Sequence, residues 1–461
     1  MSIRHHGKGA PVEPTLILIN PWIFDFAAYD LWSKPLGLLY LAGYLRHSGF
    51  KVHLIDCLDV HHPQMKASSS IPYPVRRAFG TGKFWREIVP KPSIFKHVPR
   101  SYSRYGLSRQ LFIRELMKVK NPSAILVTSL MTYWYPGVKE AISLCRDIHP
   151  GTPILLGGIY AQLCENHALT CDADQVVIDI TLNTMGSVVD ILRKHGIESD
   201  GSEASIKTLP YPAFDLLHGI DSIALLTSSG CPYQCQYCAS SFLTSGFFRR
   251  DPEEIIEEIL YWHKVYGVQN FAFYDDALLV GFETHAGLLC EKLARLNLGV
   301  RFHTPNAIHV REITSDVAEL LHLAGFGTIR LGLETSDIAL HECLDGKVSE
   351  GDFERAVDRL SRNGFERRNM GAYILAGLPG QSIESVMESI EFVAKVGANP
   401  YLAEYSPIPH TPLWELAVAN SSYDLVSEPL FHNNTLLPCW ETRQRSRFTD
   451  LKKRVRELRT A

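Results

Sequence analysis

No stretch of this 461-residue chain approaches the ~18 uninterrupted apolar residues that a membrane-spanning helix requires. The nearest candidate, Pro35 to Leu45, is short and carries two glycines and two tyrosines. The segment from Ser2 to Pro14 is polar, holding Arg4, His5, His6, Lys8 and Glu13, and lacks the apolar centre of a secretory signal. Charge of one sign is also scarce: 46 basic residues face 50 acidic ones, a net of -4, and with 46% hydrophobic residues this excludes a long disordered domain. Without export signals the ten cysteines are expected to stay thiols rather than form a disulfide framework. The expectation is a cytoplasmic globular protein, long enough for two or three domains whose cores need no staples.

What the chain does have is alternation. After a flexible arm over residues 1–14, short β-branched runs at Thr15 to Asn20, Val52 to Cys57, Ala124 to Ser129, Pro153 to Gly157 and Gln175 to Ile178 read as buried strands. Amphipathic helical patterns follow at Leu36 to His47, Arg109 to Lys118, Val138 to Ile148 and Met185 to Lys194. Parallel strands need crossover helices, so residues 15–200 are expected to form a Rossmann-like parallel sheet, with ligands beyond its carboxyl edge. A polar link near Glu198 to Lys207 leads into a second alternation. Six strands at Ser222 to Ser228, Asn270 to Tyr274, Val300 to Thr304, Thr328 to Leu333, Gly371 to Ala376 and Pro400 to Ser406 alternate with five helices. The fold class is therefore α/β, with a partial (βα)6 TIM-type barrel over 208–410 and chemistry on the loops after its strands. Residues 411–461 read as an extension, irregular until a charged helix from about Arg447 to Arg459.

Between Lys66 and Lys120, 13 Lys or Arg stand against only Glu87 and Glu115. Aromatics interleave at Tyr73, Phe79, Phe84, Trp85, Phe95, Tyr102, Tyr105 and Phe112. Basic residues with stacking rings can grip nucleic acid. A long insertion whose charges face water, or an anionic small-molecule contact, is the favoured reading.

Seven cysteines are scattered singly, but Cys231, Cys235 and Cys238 fall together in GCPYQCQYCAS, directly after the first strand of the second alternation. A C-x3-C-x2-C loop brings three soft thiolates together, enough for three irons of a cubane cluster with the fourth left without a protein ligand. A closed zinc site needs four ligands, and the loop offers no further Cys or His.

This string resembles the signature of radical S-adenosylmethionine (SAM) enzymes, aromatic Tyr237 before the last cysteine included, and the resemblance covers about residues 220 to 410. It implies a [4Fe-4S] cluster on Cys231, Cys235 and Cys238, with SAM chelated on the open iron and cleaved reductively to a 5'-deoxyadenosyl radical. The protein would supply orientation and exclusion of water. It further implies that Asp275 or Asp276, after the second strand, accepts from the SAM ammonium. In RLGLETS, similar to the family's G-x-E-S element, Arg330 and Glu334 become polar contacts to SAM. Gly377 and Gly380, in G-L-P-G, pass backbone close to the adenine, with Gln381 standing where the family often has Glu. His303 and Asn306 are expected at the barrel mouth. Ser406 to Pro412 is similar to an S-P-x-P-G-T-P-L element of methylthiotransferases, with His410 in place of glycine.

A Rossmann-like domain ahead of such a barrel is similar to the cobalamin-binding subgroup. Thr128-Ser129-Leu130 and Gly157-Gly158 match two of that subgroup's marks. Asp59 to Gln64 matches its D-x-H loop only superficially, following the second strand rather than the first, and Ile178 to Thr181 replaces its G-E-G-E turn. Cobalamin and a retained scaffold without it both stay open. The leading reading is a radical SAM enzyme acting on a small organic substrate, by methyl transfer if cobalamin binds, and fed by a flavodoxin- or ferredoxin-type electron donor. An RNA-modifying methylthiotransferase-like enzyme and a non-catalytic SAM- or redox-binding module are the alternatives.

Overall fold

The structure, a computed structural model, describes residues 13–67, 72–199 and 209–460. The arm expected over 1–14 therefore lies outside the described residues up to residue 12, as does most of the link expected at 198–207. Five parallel strands form the first sheet: β1 (Thr15–Asn20), β2 (Lys51–Asp56), β3 (Ala124–Val127), β4 (Ile154–Leu156) and β5 (Gln175–Val176), in the order β2-β1-β3-β4-β5. Side chains alternate along each strand. Leu16 and Leu18 of β1 pack on Leu38, Ala42 and Leu45 of helix α1 (Leu36–His47). Ile17 and Ile19 face Val138, Ala141 and Ile142 of helix α2 (Tyr135–Ile148) on the other side. Helices on both faces explain why these strands read as unbroken apolar runs.

The second sheet holds β6 (Ile223–Leu225), β7 (Asn270–Phe273), β8 (Arg301–His303), β9 (Phe326–Glu334), β10 (Met370–Ala376) and β11 (Asn399–Glu404), all parallel and hydrogen-bonded in sequence order. Among the described residues β6 pairs only with β7 and β11 only with β10, so the barrel stays open, as six units predict. The helix Pro252–Tyr266 shows why the alternation was so legible: Asp251 caps its start by accepting from Glu253 N, and Gly267, at φ 70°, ends it.

Two aromatic residues from the first half of the chain pack against the inside of this open barrel. Trp32 stacks on His303 with ring centroids 4.4 Å apart, and its Nε1 donates to Phe79 O at 2.6 Å. Phe79 packs on the same imidazole at 5.0 Å, and the Arg301 guanidinium lies over the Phe79 ring. Trp32 and Phe79 have φ of 59° and 64°, a left-handed conformation that bulky residues rarely adopt. Their mutual bond and the shared stack hold them there.

Most rings of the basic segment fill cores and are not free to stack on bases. Phe84, Trp85, Phe95, Tyr102, Tyr105 and Phe112 are all buried. Strands Ile23–Asp25, Ser103–Tyr105 and Arg86–Ile88 form a small antiparallel sheet that organises this insertion. Some of the charge is also neutralised inside: Arg76 pairs with Asp30 at 2.7 Å, and Arg104 pairs with Glu87 and Glu140.

The extension is more ordered than expected. Its helix begins at Thr442, five residues before Arg447, and buries Phe448, Leu451 and Val455 in the core of the second sheet. Before it, Asn433 Nδ2 donates to Asp25 Oδ1 and His432 Nδ1 lies 2.9 Å from Thr132 Oγ1, tying the tail to the first half of the chain.

Trp32→Ala removes the stack and an indole hydrogen bond from a buried site, so the chain should lose about 3–5 kcal/mol of stability. Denaturant midpoints of the variant and of Trp32→Phe check this, with the phenylalanine expected to retain part of the loss.

Candidate functional site

The loop that carries the three cysteines is set by a carboxylate. Asp275, just past the end of β7, is buried, and its Oδ1 accepts from Thr227 N and Oγ1 at 2.9 and 2.8 Å and from Ser228 N and Oγ at 2.6 Å each. Burial pushes the Asp275 carboxyl up to about 6, and those four donors oppose the rise. The chain leaving β6 is thereby pinned. The next residue, Asp276, has a different partner, accepting from Ser240 Oγ at 2.8 Å.

Downstream, Gly230 has φ 83°, and a Cβ there would meet Gly246 O at 2.1 Å, so the loop needs glycine to close. Gln236 N donates to Leu344 O at 2.8 Å, and Gln236 O accepts from Leu413 N at 2.9 Å, docking the loop between two later segments. Cys231, Cys235 and Cys238 then line one cavity of about 410 Å³ together with Tyr233, Tyr237, Asp276 and Lys347. Among the described residues no three His, Cys, Asp or Glu side chains close on a single ion. A cubane asks for something else, since each thiolate binds a different iron.

As free thiols, Cys231 and Cys235 resist ionisation: burial pushes both up, Cys235 to about 11. Lys347 is the cation that opposes this at Cys235. Burial also pushes the Glu334 carboxyl up to about 7, against the pull of Lys347 and a hydrogen bond from Tyr237. Glu334 has φ 64°, so the carboxylate turns off the end of β9 in a strained conformation. Tyr237 OH donates to Asp345 Oδ2 at 3.4 Å. Lys347 and Ser240 escaped the sequence reading: D-G-K after a helix reads as a turn, and a serine after the last cysteine carries no signal of its own.

The remaining residues divide. Asn306 reaches the cavity and donates to Tyr274 O at 2.9 Å. Arg330 does not line it; its guanidinium lies 4.4 Å from the centroid of the Tyr401 ring. His303 is fully buried between Thr328, Asn270 and Trp32, with its imidazole pushed down to about 3 by burial and two arginines. At Gly377 a Cβ would meet Leu437 Cδ2 at 3.0 Å, whereas Gly380, at φ 74°, faces open space. Gln381 Oε1 accepts from Gly377 N and Leu378 N and so closes that turn. His410, at φ 66°, stacks on Phe242 with centroids 4.0 Å apart.

A second cavity, of about 450 Å³, opens where the carboxyl ends of β3, β4 and β5 face the cysteine loop. Thr128, Ser129, Leu130, Gly157 and Gly158 line it, as do Ile180 and Thr181. Gly158 has φ 94°, and a Cβ there would lie 2.3 Å from Ser129 O. Ser240 and Asp276 line both cavities, so the two meet at this pair. The histidines of Asp59 to Gln64 lie elsewhere. His61 Nε2 sits 2.7 Å from Asp221 Oδ2, His62 faces Glu115, and Asp59 accepts from His218 at 2.7 Å. The D-x-H likeness thus belongs to a latch between residues 59–62 and the approach to β6, because β2 is the edge strand of the first sheet and β1 separates it from the strands whose ends open onto this cavity.

Comparison with known proteins agrees with this architecture. Residues 225–393 match the radical SAM superfamily. The chain is 25% identical over 351 residues, 68% of its length and 74% of the relative's, to an uncharacterized methyltransferase of Pyrococcus horikoshii. The solved structure of the radical S-adenosylmethionine methyltransferase TsrM from Kitasatospora setae, with cobalamin and a [4Fe-4S] cluster bound, has a TM-score of 0.63 at 14% identity, covering 90% of this chain and 80% of that one. The cobalamin-dependent radical enzyme OxsB, with aqua-cobalamin and S-adenosylmethionine bound, gives 0.57 at 14% identity over 96% of this chain and 56% of its own. These structural likenesses are of fold.

The His218–Asp59 contact raises the folded pKa of the imidazole above its ordinary value, through the hydrogen bond first and despite partial burial. A raised histidine pKa gives stability that is full below the unfolded value and fades as pH climbs through the folded one. His218→Gln should therefore destabilise the chain more at pH 6 than at pH 9, read as the gap in unfolding midpoints between variant and wild type.

Proposed function

We propose, from the match of residues 225–393 to the radical SAM superfamily, that this chain binds a [4Fe-4S] cluster through Cys231, Cys235 and Cys238 and cleaves SAM reductively in the cavity those residues line. Methyl transfer to a small organic substrate is the outcome that its relatives support best. The observation that carries this reading is the meeting of two cavities at Ser240 and Asp276. A ligand seated on the carboxyl edge of the first sheet would face one held by the cysteine loop across a single Ser–Asp pair.

When bound, the cluster and SAM supply one-electron cleavage of the sulfonium bond to a 5'-deoxyadenosyl radical, and cobalamin in the second cavity supplies a carrier for the methyl group. This chain's residues do the rest. Asp276 offers a solvent-exposed carboxylate to the SAM ammonium, and Asp275 acts on it only by fixing the loop. Tyr237 adds a polar contact at the cavity wall, with Glu334 behind it in reach of Tyr237 and Lys347; Gly377 and Gly380, expected at the adenine, do not line this cavity. Arg330 acts at one remove, through Tyr373, whose hydroxyl donates to Pro305 O at the cavity edge. The second cavity suits a corrin tail: it runs between the small residues at strand ends and the apolar side chains Leu38, Leu41 and Val188. Among the described residues no histidine lines it. The working division is a cobalamin-binding-like unit over 15–200, a radical SAM unit over 208–410 and an extension that clasps both. A low-potential flavodoxin- or ferredoxin-type donor would feed the cluster.

Anaerobic reconstitution tests both halves. Wild type should carry stoichiometric iron, sulfide and cobalt and yield 5'-deoxyadenosine from SAM under reducing conditions. Replacing all three cysteines by alanine should abolish the iron–sulfur absorbance; a band that survives would contradict the assignment. Gly158→Ala should lose cobalt while keeping iron, because its Cβ displaces Ser129 at the second cavity alone.

A further inference from the structure

We infer that Lys347 is a positioning residue for the cluster's charge: its ammonium, held beside Cys235, raises the reduction potential of the iron–sulfur cluster, so that a biological one-electron donor can reduce it. This rests on the cluster assignment above.

The geometry is built rather than incidental. The helix Ile338–Leu344 ends against the cysteine loop, where Gln236 N donates to Leu344 O. Asp345 is fixed by His341 at 3.1 Å, and its Oδ1 accepts from Lys347 N at 3.0 Å. Gly346, at φ 59°, turns the chain so that Lys347 points back over the loop. Its Nζ lies 5.8 Å from the Tyr233 ring centroid and 5.9 Å from that of Tyr237, the rings on either side of Cys235 in sequence. Lys347 lines the same cavity as all three cysteines. It makes no close ion pair among the described residues; the carboxylates of Glu334 and Asp345 influence it from further off. A cation held in place without a tight carboxylate partner keeps its field for what lies in front of it.

That field has a calculable sign. Three thiolates on an oxidised cubane core carry a net negative charge, and one electron makes it more negative with no bond broken and no proton needed. A fixed ammonium near one sulfur stabilises the reduced cluster more than the oxidised one, which raises the potential. Burial works the other way, and the cysteine side of this cavity is partly buried, so the lysine offsets what burial takes away.

The test uses the full chain, reconstituted anaerobically without SAM, as Lys347→Met, Lys347→Arg and wild type. Iron and sulfide are counted, and the potential is read from the paramagnetic signal during stepwise reduction with dithionite. The expected result is a lower potential in Lys347→Met and a near-native one in Lys347→Arg. If the methionine variant folds by circular dichroism but takes up less iron, restoration by arginine supports the same role. An unchanged potential in Lys347→Met, or an iron deficit that arginine does not restore, overturns it. A wild-type chain that takes up no cluster would instead sink the cofactor assignment, a distinguishable failure.

Discussion

Four hydrogen bonds to one carboxylate oxygen set everything else at this site. Asp275 Oδ1 gathers the backbone and side-chain donors of Thr227 and Ser228, and so fixes the direction in which the chain leaves β6. From that turn the cysteine loop is launched, and the neighbouring Asp276, held by Ser240, lines the opening. A buried carboxylate is costly unless hydrogen-bonded, and here four donors anchor Oδ1 while Oδ2 is buried without a partner among the described residues.

The second constraint is the joining of two sheets. An open barrel of six strands leaves its interior exposed, and Trp32 and Phe79 cover His303 there in conformations that only dense packing sustains. The Asp59, His61 and Asp221 contacts and the tail residues His432 and Asn433 add further ties between the halves of the chain. These links hold the carboxyl edge of the first sheet opposite the cysteine loop, and the cavity between them exists because of that placement. The chemistry proposed here needs two ligands face to face, which is an arrangement of domains before it is a property of any residue.

Much of this was legible in the sequence. Both alternations were plain because strands covered on two faces read as apolar runs, and Cys231, Cys235 and Cys238 announced themselves by spacing. That Asp275 is buried and Asp276 exposed was not legible, since the two stand side by side just past the end of a strand. Lys347 was hidden because its role depends on a turn, at Gly346, that brings it back over a distant loop. The basic stretch was ambiguous for a related reason: interleaved rings look the same whether they stack on a base or, like Phe95 and Trp85, fill a core. The small sheet of Ile23–Asp25, Arg86–Ile88 and Ser103–Tyr105 joins three-residue strands far apart in sequence, too short for any periodicity to reveal. His61 and His62 followed a familiar pattern on the wrong strand.

The central claim is that three thiolates leave one corner of a cubane open to SAM. Mössbauer spectroscopy of the iron-enriched, anaerobically reconstituted chain, before and after SAM is added, tests it most directly. The account predicts that one iron subsite of the cluster changes its isomer shift while the others hold. A spectrum that stays the same in every subsite, with SAM shown to be bound by equilibrium dialysis, would contradict it.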